Sequence, residues 1–127
     1  MVSFEDFILG EDRPIYLQII RHIKQKIAAG AIEDQEEIPS RRALSALLGV
    51  NPNTIQKAYH ILEEEGVIVS RSGAMSYAHV DAGTVERIRR ELMTEDTKAW
   101  VIAIKRLGVS REEAFGLAED IWEAERK

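Results

Sequence analysis

Apolar residues recur along much of this chain at the three- and four-residue spacing of an amphipathic helix. Tyr16, Ile19, Ile20, Ile23 and Ile27 form the first such stripe. Arg13-Pro14 opens it, because proline suits the first helical position, and Gly30 closes it. Residues 1–13 read as an extended or loosely ordered lead-in. An acidic turn follows over residues 31–37, and Glu37-Ile38 is compatible with a very short strand.

Ser40 is a good N-cap for a second helix from Arg41 to Leu48, with Leu44, Leu47 and Leu48 expected to face inward. Gly49 ends it. After a tight turn, Asn51-Pro52 opens a third helix, with asparagine at the cap and proline in the first position. Ile55, Ala58, Tyr59 and Leu62 are its buried stripe, Ile61 lies beside them, and Gly66 stops it. The period then shortens. Val67, Ile68 and Val69 are strand-like, Ser72-Gly73 signals a turn, and Met75, Tyr77 and Val80 suit a returning strand. Two strands cannot stand alone and must pack on the helices. Helix, short helix, tight turn, helix and hairpin is the order of a winged helix-turn-helix.

Past residue 80 the helical period returns. Val85, Ile88, Leu92, Ala99, Ala103 and Leu107 keep phase, and Thr94 offers a cap, so one long helix or two shorter ones fit. Gly108 breaks the run. Ser110-Arg111-Glu112-Glu113 is a capping-box pattern, and Ala114, Leu117, Ala118, Ile121 and Trp122 form the stripe of a last helix. The expected fold is mainly α with a small β hairpin. Residues 1–80 form the winged helix-turn-helix, and 81–127 a short helical region.

Composition narrows the chemistry. A chain of 127 residues with 45% hydrophobic and 31% charged side chains folds around a real core. It has no cysteine, so disulfide scaffolds, thiolate zinc sites and cysteine nucleophiles are excluded. His22, His60 and His79 are too scattered for a metal site, and no nucleophile elbow or phosphate loop occurs. Neither catalysis nor a cofactor or metal is expected. The longest apolar run, 99–104, is far short of the ~20 residues that span a bilayer. The first ten residues carry Glu5 and Asp6 and no lysine or arginine, unlike a secretory signal. These readings point to a cytoplasmic protein with no membrane partner.

Seventeen basic against 22 acidic side chains leave a net charge of −5, which looks unfavourable for nucleic acid. Binding depends on the local field at one face, however. Arg41 and Arg42 have no acidic neighbour in sequence between Ile38 and Gly49, and Lys57 stands alone on the front of the third helix. The acid gathers at 33–37 and 63–65.

The first turn of a recognition helix reaches base edges in the major groove. Here that turn carries Asn51, Asn53, Thr54, Gln56 and Lys57. Asparagine and glutamine pair with adenine in bidentate fashion, threonine touches a thymine methyl or bonds, and lysine reaches guanine or phosphate. Asn51 also suits simple capping. Arg41 and Arg42 begin the preceding helix, placed to anchor a phosphate or reach a base, and Arg71 and Gly73 mark a wing able to approach the minor groove.

The segments Ile38-Pro39-Ser40-Arg41-Arg42-Ala43-Leu44, Gly49 through Tyr59, and Leu62 through Ile68, with Pro14-Ile15-Tyr16-Leu17-Gln18 ahead of them, resemble the GntR family of bacterial transcription regulators. The likeness covers about residues 8–80. It implies a winged helix head that reads a partly palindromic operator as a dimer, with Arg41, Arg42, Asn51, Asn53, Thr54, Gln56, Lys57, Arg71 and Gly73 as the usual positions of DNA contact. The short remainder resembles the YtrA-type subfamily, whose helical tail serves dimerisation. Two departures stand out. The wing, usually R-x-G-x-G-T-F/Y-V, has Met75 in place of its second glycine, and the loop Asp34-Gln35-Glu36-Glu37 is acidic and lacks the usual Pro-Gly.

The leading expectation is a homodimeric repressor of a double-stranded DNA operator. Val85, Ile88, Leu92, Trp100, Ala103, Leu107, Leu117, Ile121 and Trp122 are its candidate dimer interface. A small-molecule effector is left open and unidentified. The alternative, favoured slightly by the net charge and the acidic loop, is a winged-helix protein-interaction module without sequence-specific DNA binding.

Overall fold

The computed structural model describes residues 1–71 and 75–125. In chain order the elements are α1 (Ile15–Ala28), β1 (Glu37–Ile38), α2 (Arg41–Leu48), α3 (Pro52–Glu64), β2 (Ile68–Ser70), β3 (Ser76–Ala78), α4 (Ala82–Lys105) and α5 (Arg111–Ala124). The expected order therefore holds, with a third strand: β1 joins the hairpin in an antiparallel sheet ordered β1-β3-β2. Ile38 sits opposite Ser76, and Ile68 opposite Ala78. The returning strand is shorter than its apolar pattern, and Val80 lies beyond it.

The chain divides into two compact units, Met1–Arg90 and Glu91–Lys127, with the boundary inside α4. The cause lies at the start of α4, which is bonded to the head. Thr84 and Ile88 are buried there. Arg89 donates to the Ala28 carbonyl at 2.9 Å, and Arg87 to the Glu65 carbonyl at 3.3 Å, so two arginines meet the carbonyl-rich ends of α1 and α3.

In the first unit the core is built from Ile19, Ile23 and Ile27 of α1, Leu44 of α2, Ile55, Tyr59 and Leu62 of α3, and Ile38 and Ile68 of the sheet. Each helix presents its periodic apolar positions to this centre, as burial of apolar area demands. Leu47 is the exception. It is 66% exposed, because Leu44 and Val50 already close the inner side of this short helix. The lead-in is also more ordered than its composition suggests. Val2 and Phe4 are buried, and Val2 N–H donates to the Glu37 carbonyl at 2.9 Å.

In the second unit α4 runs unbroken past Thr94, so the single long helix is the one formed. Ser110 caps α5 by accepting from Glu113 N–H at 3.1 Å. Trp100 and Phe115 bring α4 and α5 together with ring centroids 5.6 Å apart, and Arg111 lies over Phe115 at 4.8 Å. Ala114 is buried beside them. The candidate dimer residues thus divide. Ile88 and Leu92 are already buried within one chain, Val85 and Trp100 are half-buried, and Ala103, Leu107, Leu117, Ile121 and Trp122 are exposed. The first two carry little surface within one chain, whereas the last five leave apolar surface open.

Candidate nucleic-acid interface

The turn between α2 and α3 sets the reading helix in place. Gly49 adopts φ 66°, a left-handed conformation that glycine takes without steric cost, and its N–H returns to the Ser45 carbonyl at 2.9 Å. Ser45 Oγ donates to the Val50 carbonyl and pins the far side of the turn. Asn51 Oδ1 then accepts from Asn53 N–H at 2.8 Å, and Pro52 begins the helix without an N–H to satisfy. The Asn51 oxygen is thus occupied in capping, leaving its amide hydrogens as the part free to meet a ligand.

Beyond that cap the turn is open. Asn53, Gln56 and Lys57 are exposed and Thr54 is half-buried, while Ile55 and Ala58 between them face the core. The α3 start therefore offers amide donors and acceptors, a hydroxyl and an ammonium along one face. Lys57 is oriented as well: its Nζ lies 4.0 Å from the Tyr16 ring centroid, a cation–π contact. Tyr16 is a partner that sequence periodicity assigned only to the α1 stripe.

The two arginines of α2 separate into different roles. Arg42 is exposed and has no hydrogen bond or ion pair among the described residues. Arg41 is turned inward. Its guanidinium donates to Glu63 Oε1 at 2.7 Å and stands over the Tyr59 ring at 5.2 Å. Tyr59 itself is fully buried and donates its hydroxyl to the Pro39 carbonyl at 2.7 Å. Burial raises its pKa far above the ordinary phenol value, so the donor is permanent. Arg41 is thus engaged as a tie between α2 and α3.

The same contact explains the acidic run at the end of α3. Glu63 meets Arg41, Glu64 lies 3.7 Å from His60, and Glu65 lies 2.6 Å from the buried Lys24. The acidic loop before β1 is likewise used internally. Asp34 accepts from Val80 N–H at 2.8 Å, and Ala78 and the loop exchange backbone bonds, Gln35 N–H to Ala78 O and Ala78 N–H to Glu36 O. The Val80 amide, then the Gln35 side chain, hold the Asp34 carboxyl below its ordinary value. Asp81 is lowered similarly by the Thr84 N–H that it caps, then by the Thr84 hydroxyl, with His79 at 3.0 Å adding to the effect.

Arg71 is exposed at the wing's base. Its guanidinium donates to Gln35 Oε1 and lies over the Tyr77 ring at 4.8 Å. Gly73 lies outside the described residues. Gln35 was missed by sequence reasoning. Its backbone φ of 66° is unusual for a residue other than glycine, and no motif marks such a position. Among the described residues, no group of three or more histidine or acidic side chains is placed to hold a metal ion, and no helix is long and apolar enough to cross a membrane.

Comparison with known proteins places this geometry. Residues 15–77 match the family of bacterial regulatory proteins called the gntR family. The HTH-type transcriptional repressor YtrA of Bacillus subtilis is 34% identical over 109 residues, covering 85% of this chain and 84% of that protein. A GntR family transcriptional regulator from Listeria monocytogenes superposes with a TM-score of 0.78 at 29% identity, over 88% of this chain and 98% of the other. YtrA from Sulfolobus acidocaldarius, a GntR-family transcription factor, gives 0.54 at 25% identity, over 94% and 97%. With its open third helix, its sheet and its short helical tail, the chain belongs to the GntR family and to its YtrA-type subfamily: it is a transcriptional regulator with a DNA-binding winged helix-turn-helix head.

Proposed function

We propose that the chain is a cytoplasmic, homodimeric repressor that reads a partly palindromic operator and thereby blocks transcription. The exposed first turn of α3 carries the reading. Asn53, Gln56 and Lys57 stand open together while their neighbours are packed inside, and no demand of the fold requires amides there. Asn53 and Gln56 contact base edges, Thr54 contacts a base or methyl, and Lys57 and Arg42 contact phosphate or guanine. Arg71 enters beside the wing, and Asn51 contributes its amide hydrogens. The B. subtilis relative is named a repressor, which supports the same role here.

Dimerisation rests on the second unit. Leu107, Leu117, Ile121 and Trp122 present exposed apolar surface, with Trp122 79% exposed. Beside Trp100 a groove of about 260 Å3 is lined by Ile104, Val109, Ala114 and Phe115. Apolar surface of this extent is most stable when a second copy covers it. Two heads then meet two half-sites one duplex turn, ~34 Å, or a multiple of it apart.

Footprinting on DNA upstream of the chain's own gene tests the reading. A protected segment with two related halves, weakened by salt, supports it. Binding indifferent to salt, or none, would favour the protein-interaction module instead. The loop's hydrogen bonds to Val80 and Ala78 give it a structural role that needs no protein partner.

A further inference from the structure

The segment ahead of α1 lies outside the residues that match the family, yet it is tied to both sides of the head. His22 of α1 is buried, and its Nε2 donates to the Ser3 carbonyl at 2.9 Å. The Phe4 ring lies on the imidazole at 4.4 Å and tilted 35°, and Phe7 meets it edge-on at 5.1 Å. Lys26 and Asp6 add an ion pair at 3.1 Å, and the lysine holds that carboxyl below its ordinary value. From this anchorage the chain reaches the sheet, where Val2 N–H bonds to the carbonyl of Glu37. That bond is made by a β1 residue whose strand is only two residues long and pairs with β3.

We infer that the N-terminal arm is a strap that positions Arg71 for DNA, with Phe4 and His22 as positioning residues acting through it. The inference rests on the DNA-binding reading above. A two-residue strand bonded to β3 alone is a weak foundation; the arm supplies bonding from its other side and links it to α1. The residues just before β1 carry the effect onward. Gln35 N–H and Glu36 O hold Ala78, and Gln35 Oε1 receives the Arg71 guanidinium. Tyr77, opposite Glu37, supplies the ring under that guanidinium. Arg71 is therefore ordered before DNA arrives, and ordering in advance lowers the entropic cost of binding. When the arm is loosened, the Gln35 loop shifts and Arg71 loses its fixed orientation, while Asn53 and Gln56 on α3 keep theirs.

The test is a double-mutant cycle in the full chain. Phe4→Ala, with Phe4→Leu as the variant that keeps the buried volume apolar, is combined separately with Arg71→Ala and Asn53→Ala. Binding is measured on the footprinted fragment. Phe4→Ala is expected to weaken binding roughly fivefold to tenfold, in the range of residues coupled through one network. Phe4→Leu restores most of the loss. The effect disappears when Arg71 is already alanine and persists in full beside Asn53→Ala. Hydrogen exchange on the free protein gives a second readout, independent of DNA: in Phe4→Ala the amides of Gln35 and Ala78 lose protection while those within α3 keep theirs. Equal effects of Phe4→Ala in both backgrounds, or unchanged protection at Gln35 and Ala78, would overturn the strap. If the wild-type chain binds no DNA, the DNA-binding reading fails first, and exchange at these two amides alone decides whether the arm holds the sheet.

Discussion

Arg41 and Glu63 meet at 2.7 Å between α2 and α3, both about two-thirds or more shielded, with Tyr59 beneath the guanidinium. The neighbouring Arg42 faces outward. Two adjacent arginines of the head are therefore placed so that stability and binding can be tested apart. Arg41→Ala should destabilise the fold by ~1–2 kcal/mol, since it strands Glu63 and removes packing on Tyr59. Arg42→Ala should leave stability within ~0.5 kcal/mol. It should weaken operator binding and lower the salt slope by about one if Arg42 contacts a phosphate. Thermal melts beside binding titrations distinguish the two.

Asn53→Ala and Gln56→Ala should each cost ~1–3 kcal/mol of operator affinity without lowering the melting temperature, because neither side chain supports the core. The loss should be larger on the cognate site than on unrelated DNA. Equal losses on both sequences would demote these residues from base readers to general contacts.

Tyr59→Phe removes one hydroxyl and leaves the Pro39 carbonyl without its donor in a buried place. A loss of ~1–3 kcal/mol in urea unfolding is expected. Pro39 directly precedes the Ser40 cap, so the same variant should raise exchange at the Ala43 amide that Ser40 holds at 3.1 Å.

Acid should expose the two aspartates that cap the sheet's exit and α4. Asp34 and Asp81 have folded pKa values below the ordinary carboxylate value of about 3.9. Their contribution is complete above that value and is lost as pH falls through the lower folded values, since the unfolded chain then binds protons first. Asparagine keeps the acceptor oxygen and cannot titrate. The doubly substituted Asp34→Asn, Asp81→Asn chain should therefore lose less stability than wild type between pH 5 and about pH 3. Urea midpoints across that range check it.

Charge placed on the tail should separate the copies. Ile121→Glu and Leu117→Glu lie on exposed positions of α5, so one chain should still fold with little change. Sedimentation at micromolar concentration should shift from dimer to monomer, and operator binding should fall with it. A wild-type chain that sediments as a monomer would refute the dimer outright.

Most of the scaffold was legible because it depends on local signals. Pro52, Gly49 and Ser40 announce the helix ends, and the stripe Ile55, Ala58, Tyr59 and Leu62 announces the buried side of α3. Leu47 was misread because periodicity cannot tell which apolar positions a short helix has room to bury. The pairings of Arg41 and of the Glu63–Glu65 run were not legible for a different reason. Each pairs with a residue distant in sequence, Glu63 with Arg41 and Glu65 with Lys24, and no spacing rule connects them. The order of the first residues was hidden likewise, since Phe4 gains its burial only when His22 arrives from α1. Ile88 carried the right apolar signal, and the start of α4 that bears it lies in the unit Met1–Arg90.

The acidic end of α3 has a final consequence for how the molecule meets a polyanion. Asn53 and Glu64 stand at opposite ends of a single helix, ~16 Å apart along its axis at 1.5 Å per residue. At physiological ionic strength the Debye length is ~8 Å, so mobile ions hide the rear carboxylates from a duplex at the front. In very dilute buffer, where that length grows to ~30 Å, the screening fails, and although Arg41 and Lys24 offset Glu63 and Glu65, the net charge of −5 then repels the duplex. Affinity should then rise less steeply on dilution than counterion release alone dictates, bending the logarithmic plot at its dilute end.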